Sequence, residues 1–159
     1  ADPENVIGRV MTTTFNEIAQ DYSKSHIKMR FKINNVAGDV AYTEFVGHEV
    51  TRDYLRSMVK RRTSRIDTIL PLLTRDGKLL RVTVVCLTLT RAEQSQVHAI
   101  RKAVTQMLNA KAAESDFDTL VKEIVSGDLA REIFKAVKTI YPMRRVEITK
   151  SRLEQIAAV

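Results

Sequence analysis

From Ile27 to Ile33 apolar and polar residues alternate without a break. Ile27, Met29, Phe31 and Ile33 face one way and Lys28, Arg30 and Lys32 the other, which predicts an amphipathic strand with an entirely cationic exposed face and no carboxylate to neutralise it. Val6 to Phe15 is rich in β-branched residues and predicts a strand, with a bulge or close backbone approach at Gly8. Between these two lies NEIAQDYSKSH, too polar for a defined element and expected to be an irregular connection carrying Lys24 and His26. Asn34 to Asp39 holds turn residues, and Val40 to Val46 resumes a strand pattern that would form a hairpin with its predecessor. Ile66 to Leu73 is a short apolar run, Arg75-Asp76-Gly77-Lys78 a hairpin turn, and Leu79 to Thr90 a long β-branched run. In that run the apolar phase moves from Leu80, Val82 and Val84 to Val85, Leu87 and Leu89, which implies a bulge or burial on both faces.

The period changes at Arg91. Val97, Ile100, Val104, Met107 and Leu108 are spaced for one face of a helix, and so are Phe117, Leu120, Val121, Ile124 and Val125, in a helix that begins near Ser115 and stops at Gly127. A third helix runs from about Asp128, with Leu129, Ile133, Phe134, Val137 and Ile140 inward, until Pro142 ends it. Met143 to Lys150 alternates through Val146 and Ile148 and is expected to rejoin the sheet, bringing Arg144 and Arg145 near the earlier basic strands. Ser151 to Val159 reads as a short helix or a frayed tail. Strands followed by helices indicate an α+β fold: an antiparallel, curved or barrel-like sheet of about six strands with three to four helices on one side. At 159 residues the chain is expected to form a single domain, mainly β with a short basic helix over 1–91, helical over 92–141, and strand and tail over 142–159.

One stretch fits neither period simply. Residues Gly47 to Asp67 read GHEVTRDYLRSMVKRRTSRID, where Thr51 suits an N-cap. Beyond it Tyr54, Leu55, Met58 and Val59 share one side of a short helix while Arg52, Arg56 and Lys60 fall on another. Arg61, Arg62 and Arg65 follow, so six cations lie within the 14 residues from 52 to 65. Arginine dominates, and its planar fork suits phosphate oxygens. A solvated helix face and a charge-guarded edge strand are the ordinary alternatives for these two basic elements.

Composition supports an anionic partner. The 26 Lys and Arg against 19 Asp and Glu give a net charge of +7. The excess lies at the ends: 15 against 10 over residues 1–91, 7 against 7 over 92–141, and 4 against 2 over 142–159. No apolar run reaches the roughly 20 residues that cross a bilayer and no leader opens the chain, so a soluble, unsecreted protein is expected. The single cysteine, Cys86, excludes an internal disulfide and reads as inert packing in mid-strand.

Catalytic motifs are missing. His26, His48 and His98 are widely separated, and His48-Glu49 fails as a zinc-protease start because position 52 is Arg. There is no P-loop, no GxGxxG and no GxSxG. A metal-dependent nuclease assembled from His26 or His48 with Glu49, Asp53 and the arginines is a remote alternative.

Gly47-His48-Glu49, Thr51-Arg52-Asp53-Tyr54, Arg56-Ser57 and Arg61-Arg62-Thr63-Ser64-Arg65-Ile66-Asp67 resemble the central signature of the archaeal and eukaryotic small-subunit ribosomal protein family written S-three-A-e, or e-S-one. Val6-Ile7-Gly8-Arg9, Asp21-Tyr22-Ser23-Lys24, Val82 to Leu89, Ser95-Gln96, Ala99-Ile100-Arg101-Lys102 and Tyr141-Pro142 with Arg144-Arg145-Val146-Glu147-Ile148 resemble its archaeal form. The resemblance implies a cytoplasmic, non-catalytic structural constituent of the small ribosomal subunit, on the platform near the mRNA exit. Its partners would be small-subunit rRNA, neighbouring ribosomal proteins and mRNA near the exit, with no cofactor, metal, membrane or small-molecule substrate. Family members carry a further basic N-terminal segment ahead of Val-Ile-Gly-Arg, so this chain, beginning at Ala1, reads as processed or truncated.

With aromatic residues at 6%, backbone and shape recognition of RNA is expected rather than base stacking. The candidate RNA-binding residues are Lys24, Lys28, Arg30, Lys32, Arg52, Arg56, Lys60, Arg61, Arg62, Arg65, Arg144 and Arg145. A free-standing RNA-binding or translation-regulating module is the main alternative.

Overall fold

The computed structural model describes residues 5–154. Their contacts fall into two compact units, divided between Tyr54 and Leu55.

In unit 1, strand β2 (Ile27–Ala37) is central and pairs antiparallel with β1 (Val10–Thr14) and β3 (Val40–Val50). Its alternation is as the sequence predicts: Ile27, Met29 and Ile33 are buried, and Lys28 and Arg30 exposed. The β2–β3 hairpin is longer than expected because Asn34 and Asn35 stay in the strand. A register shift between Ile33 and Asn35 accommodates them, and the turn closes later, at Gly38 (φ 61°) and Asp39. The predicted first strand is shortened at both ends. Gly8, at φ 85°, makes a turn before β1, with its N–H donating to the Ile33 carbonyl at 2.8 Å, so the close approach expected there is real. Helix α1 (Phe15–Ala19) and a 3₁₀ turn (Tyr22–Lys24) occupy the segment expected to be irregular. Local capping explains both. Thr13 Oγ1 donates to the Glu17 carboxylate at the start of α1, and Asp21 accepts from the Ser23 N–H and hydroxyl.

Helix α2 (Arg52–Met58) starts directly after Thr51 and ends one residue before the last position of the apolar spacing, Val59. Val59 and Lys60 therefore lie beyond it, and Val59 is exposed rather than packed with Met58.

In unit 2, β5 (Leu79–Thr88) is central between β4 (Arg65–Leu73) and β6 (Met143–Glu154), both antiparallel to it. Pro71 is tolerated because β4 pairs on one side only. The phase change in β5 is both a bulge and two-sided burial: the register shifts between Thr83 and Val84, and every residue from Val84 to Thr88 is buried. Leu89 is past the strand and exposed. Helix α3 (Gln94–Glu114) buries Ile100, Val104, Leu108 and Ala112 and packs on β4, whose Ile66, Leu70 and Leu72 alternate inward. Helices α4 (Phe117–Ser126) and α5 (Asp128–Lys138) are separated by Gly127 at φ 87°, a left-handed position that suits glycine. The β4–β5 turn caps α4, with the Phe117 N–H donating to Asp76 Oδ2 at 3.0 Å and Arg75 pairing with Asp116 at 2.7 Å. Ile140 lies beyond α5 and is exposed instead of inward.

Ser151 to Glu154 continue β6 instead of forming a helix or frayed tail, because Ser151, Arg152, Leu153 and Glu154 pair with Val82, Arg81, Leu80 and Leu79. Residues 155–159 of that expectation lie outside the described residues. The α+β class holds, with every strand pairing inside each unit antiparallel and neither set of three strands closed on itself.

Candidate RNA-binding surfaces

In unit 1 the cationic face of β2 is not free of carboxylates. Register sets Glu49 of β3 opposite Lys28 and Glu44 opposite Lys32, and Arg30 Nη2 lies 2.6 Å from Glu49 Oε2. Glu44 also accepts from Asn34 Nδ2 at 3.0 Å. The expectation of an unneutralised face fails because the facing carboxylates belong to another strand and appear only when the register is known. Lys24 sits in the 3₁₀ turn with its ammonium 5.4 Å from the Phe15 ring centroid. Next to it the Ser23 hydroxyl and N–H hold the exposed Asp21 carboxyl below its usual range. His26 stacks on Tyr54 at 3.8 Å between ring centroids, and His48 is buried in β3. Neither is set out as the general base of a nuclease, and Glu49 is engaged by Arg30.

In unit 2 the cations divide into two groups. Arg65 makes a two-point contact with Asp67, each bond 2.8 Å, and Arg145 binds Glu147 at 2.8 Å. Register places Arg65 and Arg145 on either side of Leu87, and Asp67 and Glu147 on either side of Val85. These i, i+2 pairs are tied down along their own strands, and the Asp67 hydrogen bond raises the Arg65 pKa against the opposing effect of burial. Arg144 Nη1 donates to the Met58 carbonyl at 3.2 Å, so it caps the end of α2.

The other group is the loop after α2. Among the described residues no ion pair involves Arg56, Lys60, Arg61 or Arg62, and all four are exposed. The loop is nevertheless held firmly. Thr63 Oγ1 donates to the Lys60 carbonyl at 2.6 Å, and the Ser64 N–H donates to Thr88 Oγ1 at 2.8 Å. The Thr88 N–H returns a bond to the Ser64 carbonyl at 3.0 Å, and Thr88 itself is fully buried. Arg62 stands at φ 62°, a left-handed conformation that disfavours a side chain by about 1–2 kcal/mol and turns the backbone sharply within the arginine run. Lys28 and Lys32 of β2 and Arg52 of α2 likewise enter no ion pair among the described residues.

Sequence reasoning passed over Arg91, Arg101 and Lys102, which are exposed in unit 2. The balanced count over 92–141 concealed Arg101 and Lys102, although residues 94–113 contain no Asp or Glu.

A profile of the Ribosomal S3Ae family matches residues 1–156. The chain belongs to this family. The small ribosomal subunit protein eS1 of Methanoculleus marisnigri is 80% identical over the whole chain, which covers 81% of that protein. Those of Methanoregula boonei and Methanobrevibacter smithii are 56% and 46% identical, over 99% and 96% of the chain and 79% of each relative. Membership makes the chain a structural ribosomal protein and not an enzyme, which removes the nuclease alternative.

Proposed function

We propose that the chain is a structural constituent of the small ribosomal subunit in the cytoplasm, that it binds small-subunit rRNA through phosphates and helix shape, and that it contacts neighbouring ribosomal proteins. The observation that carries the RNA surface is the loop Lys60–Arg61–Arg62: three exposed cations that form no ion pair among the described residues, on a backbone anchored at both ends. Anchoring matters because a pre-ordered donor set loses less entropy when it engages phosphate. Arg52, Arg56, Lys28 and Lys32 add cations that form no ion pair among the described residues, although Glu49 and Glu44 stand opposite the two lysines. Lys24 and Arg30 contribute less, since the first lies on a ring and the second on Glu49. Arg65, Arg144 and Arg145 serve mainly to hold the scaffold. Placement on the platform near the mRNA exit, with mRNA as a passing partner, belongs to the same proposal and rests on the family resemblance.

The test compares Arg61→Ala with Arg62→Ala against Lys122→Ala with Lys135→Ala, using a transcript of the platform rRNA across a salt series. The first pair should flatten the log–log slope by about one to two units, and the second should leave it unchanged. Equal loss from both pairs would mean that net charge alone drives binding. Recovery of the protein only in the free fraction, rather than with small subunits after a high-salt wash, would favour the free-standing module. The same proposal treats residues 1–159 as one domain; two resolved calorimetric transitions would divide it.

A further inference from the structure

The helical part of the chain is balanced in charge overall but not along its length. Over residues 94–113 there is no carboxylate, and all the acidic residues of the balanced count except Glu93 come later, at Glu114, Asp116, Asp118, Glu123, Asp128 and Glu132. The two ends of α3 are therefore unlike. Near its C-terminus Lys111 is held between Glu123 at 3.3 Å and Glu132 at 3.4 Å. Burial works to lower the Lys111 pKa, but the two carboxylates outweigh it and the pKa is raised. Near the N-terminus Arg101 and Lys102 are exposed, and no ion pair among the described residues involves them. Ile100, Val104 and Leu108 point inward, so Arg101, Lys102 and the exposed His98 one turn earlier share the solvent side.

The start of α3 lies beside the end of the Lys60–Arg62 loop. The Ala92 N–H donates to Ser64 Oγ at 3.0 Å, which fixes the entry to α3 beside the loop's end. The Tyr141 hydroxyl donates to the Arg91 carbonyl at 2.9 Å, which holds the backbone at the exposed Arg91 just ahead of that entry. The only carboxylate nearby in sequence, Glu93, is the N-cap residue of α3.

We propose that Arg91 and the outer face of the N-terminal half of α3, centred on Arg101 and Lys102, form a second phosphate-binding surface for RNA, continuous within unit 2 with the Lys60–Arg62 loop. This rests on the reading of the protein as an rRNA binder and extends its surface to a helix outside the basic signature. An ordinary solvated helix mixes both signs of charge, and this stretch has one. A protein-docking face needs an apolar or aromatic anchor, yet no large hydrophobic residue of α3 is exposed. From Gln94 to Lys102 the helix rises roughly 12 Å, enough to follow successive phosphates of one strand.

The test uses the full chain, the platform rRNA transcript and small subunits depleted of this protein. Arg101→Ala with Lys102→Ala should weaken transcript binding about tenfold near 0.1 M salt and flatten the salt slope by about one to two units, while the Lys122, Lys135 control does neither. Arg101→Lys with Lys102→Arg should restore binding, and circular dichroism should show both variants folded. If the Arg61, Arg62 pair flattens the slope and the Arg101, Lys102 pair does not, the α3 surface is wrong and the loop proposal stands. If neither pair acts, both are overturned. Normal transcript binding with failed incorporation into depleted subunits would make this face a protein contact, which also overturns the inference.

Discussion

The two units differ most in how much apolar surface they bury. Among the described residues unit 1 buries four large or small hydrophobic side chains, Ile27, Met29, Ile33 and Val50, and leaves seven exposed, including Met11, Tyr22 and Tyr42. Unit 2 buries 25, among them Leu72, Leu80, Leu120 and Ile133, and leaves five exposed. The cause is local. Three amphipathic helices bring apolar stripes to the strands of unit 2, whereas unit 1 has only the single turn-and-a-half of α1 and a 3₁₀ turn. The basic elements follow the same division: β2 in unit 1 interleaves its cations with Glu44 and Glu49, while the loop in unit 2 projects arginines from an anchored frame. Strong stability and strong phosphate binding are thus both expected to reside in unit 2.

Core truncation gives the largest contrast. Leu120→Ala or Ile133→Ala, at side chains with no exposure, should cost about 2–5 kcal/mol in denaturant unfolding. Met11→Ala in unit 1 should cost less than about 0.5 kcal/mol. Comparable losses at Met11 would break the comparison.

Cys86 comes next. Burial, with a smaller push from the Asp67 charge, raises its thiol from 9.0 to about 12. Cys86→Ser should cost about 1–3 kcal/mol by placing a hydroxyl in apolar surroundings. The native thiol should resist alkylation until the chain unfolds. The folded pKa is raised, so its stability contribution is complete below about pH 9 and declines as the unfolded thiol ionises toward pH 12. Subtracting the profile of Cys86→Ala from that of the parent isolates this term, and a flat difference would refute the burial.

At Arg62 the expected effect is smaller. Glycine accepts φ 62° without strain, so Arg62→Gly should be about 1 kcal/mol more stable than Arg62→Ala, although both lose the same cation. Equal thermal midpoints would remove the strain argument.

The smallest effect sharpens unit 1. Glu49→Gln breaks a partly exposed ion pair and should change stability by only about 0–1 kcal/mol. It should also free Arg30 and tighten RNA binding about two- to fivefold, read by titration at low salt. Weaker binding would show that Glu49 positions Arg30 rather than competing with RNA for it.

Much of the candidate surface was legible in the chain. The residue types in Arg61-Arg62 and Lys28-x-Arg30-x-Lys32 suit phosphate, and the alternating period of β2 places the second set on one face of a strand. The sequence could not distinguish a cation that is available from one that is held. Arg62 and Arg65 look equivalent in the run, yet Arg65 closes on Asp67 because both project from the same face of β4, and Arg62 precedes the strand in a turn. Arg145 is removed from the pool in the same way by Glu147.

What the sequence determined alone is the set of short-range periods: which positions alternate, which recur every three to four residues, and where Gly38, Gly77 and Gly127 allow the backbone to turn. These depend on neighbours in the chain, so they can be read from it. Strand register and loop anchoring depend on partners far away in sequence. Glu49 comes to Arg30, Thr88 to Ser64 and Ser64 to Ala92 only after strands and helices have packed. The electrostatic character of each basic element was decided there, because a cation's affinity for phosphate falls when a carboxylate already stands within hydrogen-bonding distance.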